Sequence, residues 1–283
     1  MAVSTLRMIA CAVDSLQSHD LSTDQQVMQH IQFCDSLCKT KIAWGACYKT
    51  EDFREEWRSF GDMFQYHGRS QAGADMYERA LAGYEKALEP DHLDTLRVVQ
   101  NLGMLYYSRG QTDEAEKMWE QALAGYKKAL EPDHPDTLRV VQNLGMLYGS
   151  RGQTDEAEKM WERALAGFEK VLVSNHPNTS RDLYNLGGCY ADQDRFEEAE
   201  KALSRALLGY QQFQQGHERD LCDTQYNLGN VFEQCDRLPE AESAFTEAWL
   251  GYQDLLGFDD QETVDAACRR DRVRGKQEQA VET

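Results

Sequence analysis

The apolar residues of this chain recur at helical spacing in short paired runs. In the stretch about 94–108, Leu102 and Tyr106 stand one turn apart. In the next run, about 113–131, Ala115, Trp119 and Ala122 follow at i, i+4 and i+7. The polar segment "SRGQTD" at 108–113 separates them. Gly110 suits the left-handed conformation that ends a helix. Thr112 is placed to cap the next one, with Asp113 and Glu114 favourable at the positive end of its dipole. Pro90 and Pro132 stop the second run. Pro135 and Pro177 open the next first run, where a missing N–H costs nothing. The unit predicted is a helix–turn–helix hairpin.

That unit repeats. "TLRVVQNLGMLY" occurs at 95–106 and again at 137–148, and "SRGQTDEAEKMWE" at 108–120 and 150–162. Rows of 42 residues align without gaps, and the asparagine of "NLG" falls at 101, 143, 185 and 227, with Ser59 in its place in the first row. The rows starting at His92 and His134 agree at 33 of 42 positions. Small and large residues keep fixed columns: Leu102, Gly103, Tyr106, Ala115, Trp119, Ala122; then Leu144, Gly145, Tyr148, Ala157, Trp161, Ala164. The later rows give Leu186, Gly187, Tyr190, Ala199, Leu203, Ala206, then Leu228, Gly229, Phe232, Ala241, Phe245, Ala248. The first row is looser, with Phe60, Gly61, Phe64, Gly73, Tyr77 and Ala80.

This alternation resembles the tetratricopeptide repeat. The period of 42, rather than the usual ~34, resembles the kinesin light chain family, with the excess at the end of the second helix. There a glycine precedes an aromatic five times: Gly83–Tyr84, Gly125–Tyr126, Gly167–Phe168, Gly209–Tyr210 and Gly251–Tyr252. Glycine inside a helix costs up to about 1 kcal/mol against alanine, so the column predicts a close helix crossing beside a core aromatic. The resemblance implies an all-α fold, an α-solenoid (a right-handed superhelix) of about five hairpins with helical caps. The expected division is an N-terminal helical cap at 1–49, an array at 50–257 (50–91, 92–133, 134–175, 176–217, 218–257), and a capping helix with a disordered tail at 258–283.

Composition narrows the function. With 49 acidic and 30 basic side chains the formal net charge is -19, which repels nucleic acid. The one basic cluster, "RRDRVRGK", reads as a tail. No apolar run approaches the roughly 20 residues of a membrane span, and no signal peptide is read. The eight cysteines do not form a disulfide framework. Cys34 and Cys38 lie one turn apart without the further ligands that zinc needs. Reduced thiols and a cytoplasmic location follow. His92, His134 and His176 sit one per loop, too far apart to share an ion. No phosphate loop, nucleophile elbow or Cys/His pair stands out, so no enzyme and no cofactor are expected.

In tetratricopeptide arrays the first helix of each hairpin lines a concave face. The inward candidates are Arg97, Gln100, Asn101 and Met104; Arg139, Gln142, Asn143 and Met146; Arg181, Tyr184 and Asn185; and Tyr226 and Asn227. An asparagine amide offers a donor and an acceptor to an extended peptide backbone. The same asparagines could instead bond to neighbouring helices and set the stacking. The arginine column would attract a carboxylate-rich or phosphorylated segment, or else pair locally, as Arg97 with Asp94 one turn earlier.

The leading expectation is a non-enzymatic scaffold that grips an extended, acidic segment of a partner protein. A second expectation is a detached or truncated sensor array of a receptor. The chain is similar to the kinesin-light-chain-type repeats that follow a nucleotide-binding domain in fungal NLR-like receptors, and the near-identity of two rows suits a recently duplicated array. Motor cargo adaptation ranks last, because no long heptad region is present. Nothing in the sequence sets the oligomeric state.

Overall fold

The computed structural model describes residues 53–172, 176–213 and 216–282. Among these residues there are eleven helices and no strand. The expected cap at 1–49, with Cys11, Cys34, Cys38 and Cys47, lies outside them. The chain divides into two compact units, 1–131 and 132–283. The first contains α1 (Arg54–Tyr66), α2 (Ser70–Ala87), α3 (Leu93–Ser108) and α4 (Thr112–Ala129). The second contains α5 (Pro135–Ser150), α6 (Thr154–Val171), α7 (Pro177–Asp192), α8 (Phe196–Gln212), α9 (Glu218–Gln234), α10 (Leu238–Leu256) and α11 (Gln261–Glu282). Consecutive helices pair as α1·α2 and α3·α4 in the first unit, and as α5·α6, α7·α8 and α9·α10 in the second. The pairs stack in order through α2·α3, and through α6·α7 and α8·α9. Each unit is thus a run of stacked tetratricopeptide-type hairpins, the α-solenoid arrangement.

One turn chemistry makes every hairpin. After α3, Gly110 takes φ 73°. The Gln111 N–H donates to the Tyr106 carbonyl at 2.9 Å and the Gly110 N–H to the Tyr107 carbonyl at 2.9 Å. This is a Schellman closure, which satisfies the last carbonyls of the helix. Asp194 (φ 59°) and Asp236 (φ 57°) fill the same place after α7 and α9. The sequence expectation for the next helix start needs correction. Thr112 is already the first residue of α4; the N-cap is Gln111, and no side chain caps it. The Schellman turn brings the chain into the second helix one residue earlier than a Thr112 cap would allow.

The entry to α3, α5 and α7 is capped by histidine. Nδ1 of His92, His134 and His176 accepts from the backbone N–H of Asp94, Asp136 and Asn178 at 3.2, 3.2 and 3.1 Å. An imidazole nitrogen here does what a Ser or Asp oxygen usually does. This gives the recurring histidines a local role, and Pro135 and Pro177 sit beside them at the helix start.

Within hairpins the small residues receive the large ones. A Cβ at Gly145 would stand 2.7 Å from Trp161 Nε1, and one at Gly229 would stand 2.7 Å from Phe245 Cε1. The second glycine column works the same way, because a Cβ at Gly167 would meet Leu138 Cδ2 at 2.5 Å. The aromatics next to that column, Tyr84, Tyr126, Phe168, Tyr210 and Tyr252, are all buried. In the second unit, arginines tie successive hairpins at the surface. Arg195 reaches Glu158 at 2.8 Å and lies 4.2 Å over Tyr190, and Arg237 reaches Glu200 at 2.6 Å and lies 4.5 Å over Phe232. Such part-buried surface pairs fix geometry.

The expected disordered tail is helical. α11 starts with Asp260 Oδ1 accepting the Glu262 N–H at 2.9 Å and continues to Glu282. Ala266 packs with Cys222, Ala248 and Tyr252, and Val273 packs with Ala241 and Phe245. The basic cluster is consumed in this docking. Arg272 and Lys276 pair with Glu233 at 2.5 and 2.7 Å, and Arg274 with Glu242 at 2.7 Å.

Candidate peptide-binding face

The candidate residues lie on the first helices α3, α5, α7 and α9, and helical spacing puts each set on one side of its helix. Their surroundings separate them into groups already engaged and groups left over.

In the first unit, Asn101 is engaged. Its Nδ2 donates to Asp62 Oδ1 and to the Tyr77 hydroxyl, both at 3.2 Å. The Tyr77 hydroxyl donates to Asp62 at 2.5 Å, and Arg58 pairs with the same carboxylate at 2.9 Å. Burial, followed by the Asp62 charge, pushes the Tyr77 hydroxyl far above the usual phenol range. The cluster joins α1, α2 and α3. Gln100 is buried, and its backbone carbonyl accepts from Trp119 Nε1 at 3.1 Å. Met104 is half-buried. Arg97 is exposed and stands 3.7 Å from Asp94, the local pair.

In the second unit, Arg139 pairs with Asp136 at 3.1 Å. Arg181 differs. Asn178 occupies the position of that aspartate, and Arg181 is exposed with no ion pair among the described residues. Gln142 is buried, and its Nε2 donates to the Asn178 carbonyl at 3.0 Å and to Asp182 Oδ1 at 2.8 Å. Both hydrogens of its amide nitrogen are therefore spent between α5 and α7. Asn227 on α9 lies within interaction distance of the Tyr184 hydroxyl on α7. Burial first, and then the Asp223 charge, raises the Tyr184 pKa. Tyr226 lies edge-on to Phe245 at 5.5 Å, and Met146 packs against Trp161 and Leu186 while remaining part-exposed. Asn143 and Asn185 make no side-chain hydrogen bond among the described residues. Asn185 is half-exposed, while Asn143 is only 8% exposed.

The asparagine column thus splits. Asn101 holds adjacent hairpins together and Asn227 faces the Tyr184 hydroxyl, whereas Asn143 and Asn185 have amides to spare. Sequence reasoning missed the partners that decide this. Asp62, Asp182 and Asp223 lie at or beside the same faces, and Asp223 accepts from the Tyr252 hydroxyl at 2.6 Å. Asp182 was visible in principle, because it breaks a column held by Val98 and Val140.

The model of the tetratricopeptide repeat family matches four overlapping segments, 57–128, 98–170, 139–212 and 179–249. No curated protein matches the chain. Among solved structures, it is similar to a kinesin-light-chain candidate of Podospora anserina with nearly identical TPR-like repeats. The two are 22% identical over 74% of this chain and 98% of that one, with a TM-score of 0.58. It is also similar to BtubC (BKLC) from P. vanneervenii, at 19% identity over 90% and 94% of the two chains and a TM-score of 0.63. A third likeness is to aspartyl phosphate phosphatase F from Bacillus subtilis, at 15% identity over 81% of this chain and 58% of that one, with a TM-score of 0.63. At these identities the likenesses concern the fold. Among the described residues no helix is long and apolar enough to cross a membrane.

Proposed function

Since the chain belongs to the tetratricopeptide repeat family, we propose that it is a non-enzymatic, cytoplasmic protein-interaction scaffold. It binds an extended segment of a partner protein along the first helices α5, α7 and α9. The observation that carries this reading is the unspent polarity of α7. Asn185 is half-exposed without a hydrogen-bond partner among the described residues, and Arg181 is exposed without an ion pair among them. Asn185 supplies a donor and an acceptor for a peptide backbone, each bond contributing about 0.5–1.5 kcal/mol net. Arg181 attracts an acidic or phosphorylated side chain of that segment. Met146 and Tyr226 add adaptable apolar and aromatic contact. Asn227 stands beside such a face, facing the Tyr184 hydroxyl.

The test is affinity capture from a lysate of the source organism, read by mass spectrometry. The wild-type chain would be compared with Asn143→Ala/Asn185→Ala and with Arg181→Glu, each checked for helicity by circular dichroism. Partners lost with the double alanine variant support the face. Unchanged recovery moves binding elsewhere, and unchanged recovery with Arg181→Glu alone removes the acidic requirement.

The near-identity of the repeats at 92–133 and 134–175 favours one second reading, a sensor array that serves a nucleotide-binding receptor. Capture of a nucleotide-binding domain, or its coding sequence next to this one, would support that reading. Neither being found would leave the scaffold.

A further inference from the structure

Asp182 is a carboxyl group in a core column. Its side chain is 0% exposed, and the positions 42 residues apart are Val98, Val140 and Thr224. It lies on α7 facing α5, where Gln142 Nε2 donates to its Oδ1 at 2.8 Å and to the Asn178 carbonyl at 3.0 Å. Two buried atoms at this joint have no hydrogen-bond partner: Asp182 Oδ2 and Gln142 Oε1. Both are acceptors. A carboxylate has no hydrogen to give, so an ionised Asp182 would strand both of them, and stranded buried polar atoms are costly. A single proton on Oδ2 supplies the missing donor.

We propose that Asp182 is held as a neutral carboxylic acid in the folded chain, accepting from and donating to the Gln142 amide, so that the joint between α5 and α7 is proton-linked. The electrostatic surroundings agree. Burial is the largest influence and pushes the carboxyl well above its usual range, while the Gln142 donor and the Arg181 charge pull it back. Tyr210 on α8 also lies within electrostatic reach. It is neutral over the same range, because burial raises its own pKa. No other charged group among the described residues contributes.

The sign of the linkage follows from the raised carboxyl. Between the unfolded pKa of about 3.9 and the higher folded value, the folded chain holds a proton that the unfolded chain releases. The stability of this joint is therefore full below about pH 4 and declines as pH rises towards the folded pKa. Asn143 and Asn185 stand on α5 and α7, on either side of the joint, so its protonation bears on how the two helices present them.

Asp182→Asn gives the test, because an asparagine amide reproduces the donor–acceptor pattern of the neutral acid at any pH. Urea unfolding of the full chain and of this variant would be followed from about pH 3.5 to about pH 8. The two are expected to converge at the acid end. The unfolding constant of the wild type should then rise relative to the variant, by up to about tenfold per pH unit below the folded pKa. A ratio independent of pH would overturn the proposal, as would a variant less stable than wild type at the alkaline end. Isotope-edited infrared spectroscopy of the wild type, with Asp182 assigned through the variant or through Gln142→Leu, gives a second readout. A protonated carboxyl stretch near neutral pH supports the proposal, and a carboxylate band there contradicts it.

Discussion

Two adjacent glycines on α7 should respond to the same substitution with opposite sign. At Gly187 an added Cβ would stand 2.5 Å from Leu203 Cγ, 2.7 Å from Leu203 Cδ2 and 3.4 Å from the Ala199 carbonyl oxygen. At Gly188 nothing lies within 4 Å. Carbon contacts settle near 3.5–4.0 Å, so Gly187→Ala requires Leu203 or the whole of α8 to move by about 1 Å. Leu203 is 0% exposed and has nowhere to retreat. Overpacking of this kind costs about 1–3 kcal/mol, against which helix propensity returns at most ~1 kcal/mol. Gly187→Ala should therefore lie between neutral and about 2 kcal/mol destabilised. Gly188→Ala keeps only the propensity gain and should be stabilised by up to about 1 kcal/mol. The two variants should differ by about 1–3 kcal/mol in urea unfolding followed by circular dichroism. A Gly187→Ala chain as stable as Gly188→Ala would refute the close-crossing argument and, with it, the reading of the glycine column as a packing device.

The split within the asparagine column predicts that Asn101→Ala loses about 1–3 kcal/mol, because two bonds to Asp62 and Tyr77 disappear, while Asn185→Ala leaves the unfolding midpoint unchanged. Equal losses from both would put a hidden structural bond on Asn185. Thiol alkylation of the native chain, mapped by mass spectrometry, should modify the exposed Cys235 and Cys268 well before the buried Cys189 and Cys222. Burial pushes the Cys222 thiol up to about 11. Stability contributed there is complete below the unfolded thiol pKa of about 8.5 and is lost as pH rises from that value towards the folded one. An unfolding midpoint that is flat or rises over that alkaline window would contradict this.

Much of the fold was legible because a solenoid repeats its physics. Gly110 forces a turn, Trp119 needs the space left by Gly103, and the 42-residue offset says that both recur. What escaped was chemistry that a period does not encode. Thr112 has the right side chain for a cap, but the Schellman turn already sets the chain direction there. The segment after Val273 is strongly polar, and its Arg274 and Lys276 pair with Glu242 and Glu233, which are supplied by other helices. The asparagines share a column, yet Asp62 and Tyr77 stand behind Asn101, and the Tyr184 hydroxyl faces Asn227. Column membership placed the candidates on their faces. The neighbours in the adjoining hairpin decided which of them had polarity left for a ligand.

The binding face can be located by a photo-cross-linking amino acid placed in turn at Gly188, on the open side of α7, and at Leu208, which is 60% exposed on the second helix α8. Irradiation in lysate of the source organism, followed by mass spectrometry of the cross-linked peptides, reads out which side meets a partner. A first-helix binding face requires one partner segment to be cross-linked from position 188 and not from 208. The same partner captured from 208 alone would place the interaction on the second helices and contradict the proposed face.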